Sequence, residues 1–250
     1  MGGAPDFASG ADFHFFETIE STSLQSRRLF DDGGRGPLWV MAWEQTAGYG
    51  RRGTGWSHGA GNLAATFLFS PSQETNKLPQ LSFVAALALS DTLFAYSNHG
   101  SVSVKWPNDV LVDGKKIAGL LLELYGSGGD ISVAIGCGVN LVSHPNDTET
   151  PSCDLKQSCD AIPEPLAFLK KLDACFMALV EQWLDRGFEP IRLAWLDRAH
   201  GLGNRVTIRL KESEAEGIFR DISAEGALIL ETRHGTQTFS GGAVLYQGGP

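Results

Sequence analysis

Between Gln45 and Asn62 the chain runs Q-T-A-G-Y-G-R-R-G-T-G-W-S-H-G-A-G-N, with six glycines, two adjacent arginines and no carboxylate, in a protein of formal charge −9. Glycine has no Cβ, so its backbone can approach a ligand closely and enter φ > 0. Successive backbone N–H groups beside Arg51 and Arg52 suit an anion, either phosphate or carboxylate. So many glycines are costly to order, which predicts a loop that is mobile by itself and fixed by its ligand. A glycine-rich connector between strands would share this composition. Two phosphate-binding motifs are excluded. No Gly-Lys-Ser/Thr closes the loop, and Gly48-Tyr49-Gly50 leads into Arg51-Arg52-Gly53 with no helical pattern behind it.

Three other stretches carry polar groups at places where a ligand could use them. Ser21-Thr22-Ser23 precede the helical stretch Leu24–Phe30, with Gly33-Gly34 beyond it, so one hydroxyl caps the helix and the others are free to meet a ligand at its N-terminus. Lys105-Trp106-Pro107-Asn108-Asp109 closes a strand that begins at Val102. In Ile131–Asn140, alternation puts Ile131, Val133, Ile135, Cys137 and Val139 on one face, and Ser132, Ala134, Gly136, Gly138 and Asn140 on the other. Something must lie against that second, nearly bare face: a packed helix, or a flat ligand reaching toward Asn140.

The elements that position these groups are legible from periodicity. Phe13–Phe16, Leu38–Glu44 and Leu63–Phe69 read as strands, so the glycine loop is slung between two strands of one sheet. Leu78–Tyr96 is a nearly all-apolar helix with Pro79 in its first turn. Asp113-Gly114 marks a type I′ hairpin, and Gly119 in the following strand implies a close neighbour. Ser143–Pro163 is loop, and Pro165–Arg186 and Phe188–His200 are amphipathic helices. From Gly201 short alternating segments predict a small all-β module, with turns at Glu225-Gly226 and His234-Gly235. Residues 1–11 read as a frayed lead.

Composition narrows the function classes. With 42% hydrophobic and 20% charged residues, the 250-residue chain can bury a full core. A sequence pI near 5.1 argues against nucleic acid as the main partner. No apolar run approaches the roughly 20 residues of a membrane span, and no secretory signal opens the chain. Four cysteines without C-x-x-C spacing read as reduced thiols in a cytoplasm, and no metal site is expected from them or from the scattered histidines.

The motifs together resemble those of the bacterial biotin protein ligases. The matching residues are E-S-T-S at 20–23, E-Q-T-A-G-Y-G-R-R-G-T-G-W at 44–56, K-W-P-N-D-V-L-V-D-G-K-K-I-A-G-L-L-L-E at 105–123, I-G-C-G-V-N at 135–140 and G-A-L-I-L at 226–230. The resemblance implies an α+β fold. A mixed sheet covered by helices on one face, similar to class II aminoacyl-tRNA synthetases and lipoate ligases, would span residues 1–200, and an SH3-like barrel residues 201–250. It implies two-step chemistry, in which biotin and ATP give biotinyl-5′-AMP and a lysine of a biotin carboxyl carrier protein then displaces AMP.

On that resemblance, Lys105 and Arg51 are the catalytic candidates, because joining two anions needs fixed positive charge more than a protein nucleophile. Ser21, Thr22, Ser23 and Gln45 would meet biotin's ureido ring and sulfur, with Gly48, Tyr49, Gly50, Arg51, Lys105 and Gly119 lining its pocket. Arg51, Arg52, Trp56, Asn108, Lys116, Gly138 and Asn140 would serve ATP, with Trp56 either stacked on adenine or packed on the loop. Asp109 and Glu123 are assigned structural roles. Mg²⁺ would arrive with ATP and need few protein ligands.

Tyr49 stands where many members of that family have a basic residue, which bears on how tightly the loop retains an acyl-adenylate. Only about a dozen residues precede the first strand, so a ligase without a DNA-binding domain is expected. A homodimer is compatible with the sequence; nucleic acid and membrane are not expected partners. A lipoate ligase shares the implied fold, but its loop, R-R-x-S-G-G-G-A-V-x-H, is absent here. A non-catalytic biotin or nucleotide sensor would not need Lys105 and Arg51 together.

Overall fold

β1 (Asp12–Ile19) pairs parallel with β2 (Leu38–Gln45), because the helix between them, α1 (Thr22–Asp31), returns the chain to the same end of the sheet. The computed structural model describes residues 5–56, 59–97, 100–146, 148 and 150–246. β2 then pairs antiparallel with β3 (Leu63–Phe69), which confirms that the glycine loop joins two adjacent strands. The remaining strands are β4 (Val102–Lys105), β5 (Asp109–Val112), β6 (Lys115–Ser127) and β7 (Asp130–Val139), in the order β1-β2-β3-β7-β6-β5-β4. The sheet is therefore mixed, with β1–β2 its one parallel pair among the described residues.

The β5–β6 turn has φ of 48° at Asp113 and 73° at Gly114, the positive pair that a type I′ hairpin needs. β6 continues past Glu123 to Ser127 and pairs with β7 through the Ser127–Asp130 turn.

Helices cover both faces of the sheet, which corrects the expectation of one. α2 (Leu81–Tyr96) and α3 (Pro165–Arg186) pack on the face that carries Trp39, Phe67, Val133, Ile135 and Cys137. α1 takes the opposite face, where Phe30 meets Leu38, Val40, Leu68, Tyr125 and Ala134. α2 follows a 3-10 turn at Thr75–Gln80, and Thr75–Tyr96 is long and apolar enough to cross a membrane by composition, contrary to the sequence reading. Of that stretch 72% is buried inside the protein, which is what a central core helix requires.

The N-terminal lead is not frayed where it is described. Phe7 is 5% exposed and packs on Phe13 and Trp39, while Asp173 accepts hydrogen bonds from Ser9 N and Trp39 Nε1. Residues 1–4 of that lead lie outside the described residues.

α4 (Glu189–Asp197) leads to a second sheet of β8 (Arg205–Arg209), β9 (Glu214–Ile222), β10 (Leu228–Thr232), β11 (Gly235–Phe239) and β12 (Ala243–Tyr246). Its order, β11-β10-β9-β8-β12, leaves β11 and β12 at opposite edges, so the expected barrel is an open sheet among the described residues. The sheet is fastened to the helices rather than tethered by a linker. Trp106 Nε1 donates to Gly226 O at 3.0 Å, Gln80 Nε2 to Ala224 O at 2.9 Å, and Arg192 pairs with Asp221.

Candidate active site

The parallel β1–β2 pair brings the start of α1 beside the end of β2. Ser21, in extended conformation, caps the helix through Leu24 N. Thr22 donates its backbone N–H and its hydroxyl to Gln45 Oε1, at 2.8 and 3.1 Å. Behind them Thr66 of β3, fully buried, donates to Thr22 Oγ1 at 2.9 Å and lies 3.3 Å from Ser23 Oγ. Three hydroxyls and an amide thus form one oriented polar cluster.

The glycine loop is a short hairpin rather than an unstructured connector. Trp56 N donates to Gly48 O, Gly50 N to Thr54 O, and Tyr49 bridges Gly55. Arg51-Arg52-Gly53 form its tip, where Arg52 and Gly53 have φ of 58° and 73°. Ser57 and His58 of this loop lie outside the described residues. Burial and the adjacent Arg52 make the Arg51 guanidinium easier to deprotonate, and Asp109 opposes them; an arginine stays cationic regardless. Tyr49 Oη donates to Glu123, and burial together with that carboxylate pushes the phenol up to about 12.

The bare face of β7 is shared between a helix and a ring. Ser23 of α1 covers Gly136, while the indole of Trp56 covers Gly138 and reaches Gly119 on β6. The packed helix foreseen for that face is there at Gly136, and at Gly138 the neighbour is a side chain of the protein itself, with Trp56 packed on the strands.

Lys105, at the end of β4, is 7% exposed and donates to Thr150 Oγ1 at 3.1 Å. Opposite it in the ladder, Asp109 pairs with Lys116 Nζ at 2.7 Å, and that ammonium also lies 5.6 Å from the Trp56 ring centre. Asn108 donates from Nδ2 to Leu120 O, which fixes the turn between β4 and β5. Asn140, 2% exposed, donates to Cys153 O, while its Oδ1 has no partner among the described residues. A buried acceptor left unpaired is costly, and here it belongs to a residue lining a cavity, where a ligand's N–H could satisfy it.

These groups line one cavity of about 600 Å³. Of the residues singled out from sequence it includes Thr22, Ser23, Gln45, Tyr49, Gly50, Arg51, Arg52, Trp56, Lys105, Asn108, Lys116, Gly119, Gly138 and Asn140. Two do not belong to its lining. Ser21 is consumed as the helix cap, and Gly48 faces the Gln45 side chain and Trp56 O instead. The sequence reading missed Thr150 and Ser152 from the 143–163 loop, and Arg209 with Gly242–Leu245 from the second sheet. It also missed Thr66, whose single polar side chain in an apolar strand was the one available signal.

Five cations, Arg51, Arg52, Lys105, Lys116 and Arg209, line the cavity against one carboxylate, Asp109. In a chain of charge −9, that concentration makes the cavity a site for anions. Among the described residues no three His, Cys, Asp or Glu side chains are gathered as a metal site.

Known proteins agree with this geometry. Residues 15–140 match the model of the Biotin/lipoate A/B protein ligase family, and residues 201–245 that of the Biotin protein ligase C terminal domain. The chain is 41% identical over 236 residues to the biotin–[acetyl-CoA-carboxylase] ligase of Paracoccus denitrificans, covering 92% of this chain and 98% of that one. It is 30% identical to the bifunctional ligase/repressor BirA of Bacillus subtilis, over 88% of this chain and 70% of that protein. Its fold is similar to biotin protein ligase from Aquifex aeolicus in complex with biotin and ATP, with a TM-score of 0.81 and 24% identity over 94% and 97% of the two chains. With its cation-lined cavity, its mixed sheet and its appended β-sheet, the chain belongs to the biotin/lipoate A/B protein ligase family, among the members that carry the biotin protein ligase C-terminal domain.

Proposed function

We propose that this protein is a biotin protein ligase that activates biotin with ATP and transfers it to a lysine of a biotin carboxyl carrier domain, that of acetyl-CoA carboxylase. The observation that carries the reading is the convergence of Lys105, Arg51 and Lys116 on a cavity whose other end is the Thr22–Ser23–Gln45 cluster. A neutral ring rich in donors and acceptors suits the cluster, and a carboxylate beside a polyphosphate suits the cations.

In the first step an oxygen of the biotin carboxylate attacks the α-phosphorus and the bond to the bridging oxygen of pyrophosphate breaks. Lys105 and Arg51 hold the two anions together and offset the charge that builds up between them. Lys116 takes the phosphates in exchange for Asp109. Asn108, Gly138 and Asn140 receive the nucleoside. Mg²⁺ would accompany the nucleotide and neutralise phosphate charge, with Asp109, once Lys116 leaves it, the one cavity carboxylate among the described residues that could hold it. In the second step the carrier's neutral lysine amine attacks the acyl carbon, AMP leaves with the electron pair, and the amine loses a proton.

Residues 1–200 form the catalytic domain in this reading, and 201–250 the C-terminal one. Arg209 and Gly242–Leu245 close the cavity from the second domain, so catalysis draws on both. Four free cysteines fit a reducing cytoplasm.

Incubation with biotin, ATP and a purified carrier domain tests the reading. A mass increase of one biotinyl group on a single lysine, with pyrophosphate released by biotin and not by lipoate, is the expected result. Pyrophosphate released equally by lipoate would overturn it.

A further inference from the structure

We propose that Tyr49 and Glu123 form a latch that fixes the Arg51–Arg52 hairpin on the sheet, so that Glu123 is a positioning residue for a cavity it does not itself line. Tyr49 sits one residue from the hairpin's first stem bond and two from Arg51. Its phenol donates to Glu123 at 3.3 Å from Oε1 and 3.2 Å from Oε2. Glu123, on β6, is held in turn by Tyr125 Oη at 3.2 Å from Oε2. Tyr125 is 3% exposed and anchored to α1, with its hydroxyl 3.1 Å from Ser23 O and 3.3 Å from Ser26 Oγ. The carboxylate is therefore clamped between a buried tyrosine that cannot move and a loop tyrosine that can.

The clamp's position gives it consequence. The other side of the hairpin stem rests on Gly138 through Trp56, so the stem touches the sheet at two points, and Tyr49–Glu123 is the one built from charge-assisted hydrogen bonds. A glycine-rich hairpin without that clamp would sample many conformations, and each would have to be given up when Arg51 meets an anion. Tyr49 supplies no charge at this position; by this reading it supplies order.

The role of the latch in ligand retention rests on the biotin-ligase reading, whereas the latch itself does not. Trypsin cleavage after Arg51 and Arg52, in the protein without ligand, reports the open population of the hairpin. Tyr49→Phe removes one hydroxyl and Glu123→Leu removes its acceptor. Each should speed cleavage about tenfold, and the double variant no further. Glu123→Gln, which keeps one acceptor oxygen, should fall between wild type and Glu123→Leu. Unchanged cleavage in both Tyr49→Phe and Glu123→Leu, or additive effects in the double variant, would overturn the latch. Release of pre-formed biotinyl-5′-AMP is then timed in wild type and the same four variants and should accelerate in the same order. Accelerated cleavage with unchanged release would confine the latch to the unliganded protein and overturn its role in retention. Failure of wild type to form the adenylate would count against the biotin reading and leave the cleavage result standing.

Discussion

Trp56 lies so close to Gly138 that a Cβ on that glycine would stand 2.5 Å from the indole Nε1. The same ring would be 3.3 Å from a Cβ on Gly119, in the adjacent strand. Two bare strand positions side by side, Gly119 and Gly138 being paired in the ladder, thus form the floor on which one aromatic ring rests.

Gly138→Ala should lift that ring without unfolding the sheet, since alanine is tolerated in an extended strand. The indole would move into the cavity, and nucleotide affinity should fall by at least about fivefold. Tryptophan emission and ATP binding by calorimetry check this; an unchanged spectrum with unchanged affinity would contradict it.

Lys105 is nearly buried and its ammonium reaches Thr150. Lys105→Ala should lower biotin-dependent pyrophosphate release by about a hundredfold or more, the scale of losing one fixed charge beside the reacting atoms. The far-ultraviolet circular dichroism should stay that of wild type. Release at the wild-type rate would remove Lys105 from the chemistry.

Partial burial, then the nearby Lys105 ammonium, depress the pKa of His200 below 6.5. Its folded-state value thus lies below its unfolded one, so the unfolded chain binds the proton more readily. That contribution to stability is present above about pH 6.5 and is lost as pH falls through the folded value. Melting temperature measured between pH 7.5 and 5 should decline less in His200→Gln than in wild type. Parallel curves would show that His200 does not titrate as placed.

Burial pushes the Cys137 thiol up to about 12 and the Cys153 thiol up to about 11. Neither forms appreciable thiolate at neutral pH, so iodoacetamide on the native protein should label Cys159 and Cys175 alone. Peptide mapping after brief alkylation reads this directly, and rapid labelling of Cys137 would mean that the sheet opens.

Local chemistry was legible from the chain. Glycine content and paired arginines marked the loop, Asp113-Gly114 fixed a hairpin whose dihedrals match, and alternation in Ile131–Asn140 separated a core face from a bare one. These features depend on neighbours one to four residues away, which is the range over which sequence pattern acts. The docking of Phe7, the α1-covered second face and the open form of the small sheet were not legible, because each depends on which distant surface is available to bury apolar area.

The site divides in the same way. Residue types and spacing marked Arg51, Arg52 and the hydroxyls at a helix start as suited to a ligand, while Lys105 and Lys116 were named through the resemblance of their motif. Only the folded molecule could decide that Ser21 is spent on the cap, that Thr66 stands behind Thr22, that Asp109 pairs with Lys116, and that Glu123 reaches Tyr49. Those contacts join residues from about 7 to 74 positions apart, apart from the cap itself. Which partner a side chain finds at such distances is set by the register of β1, β2, β3, β6 and β7 in one sheet.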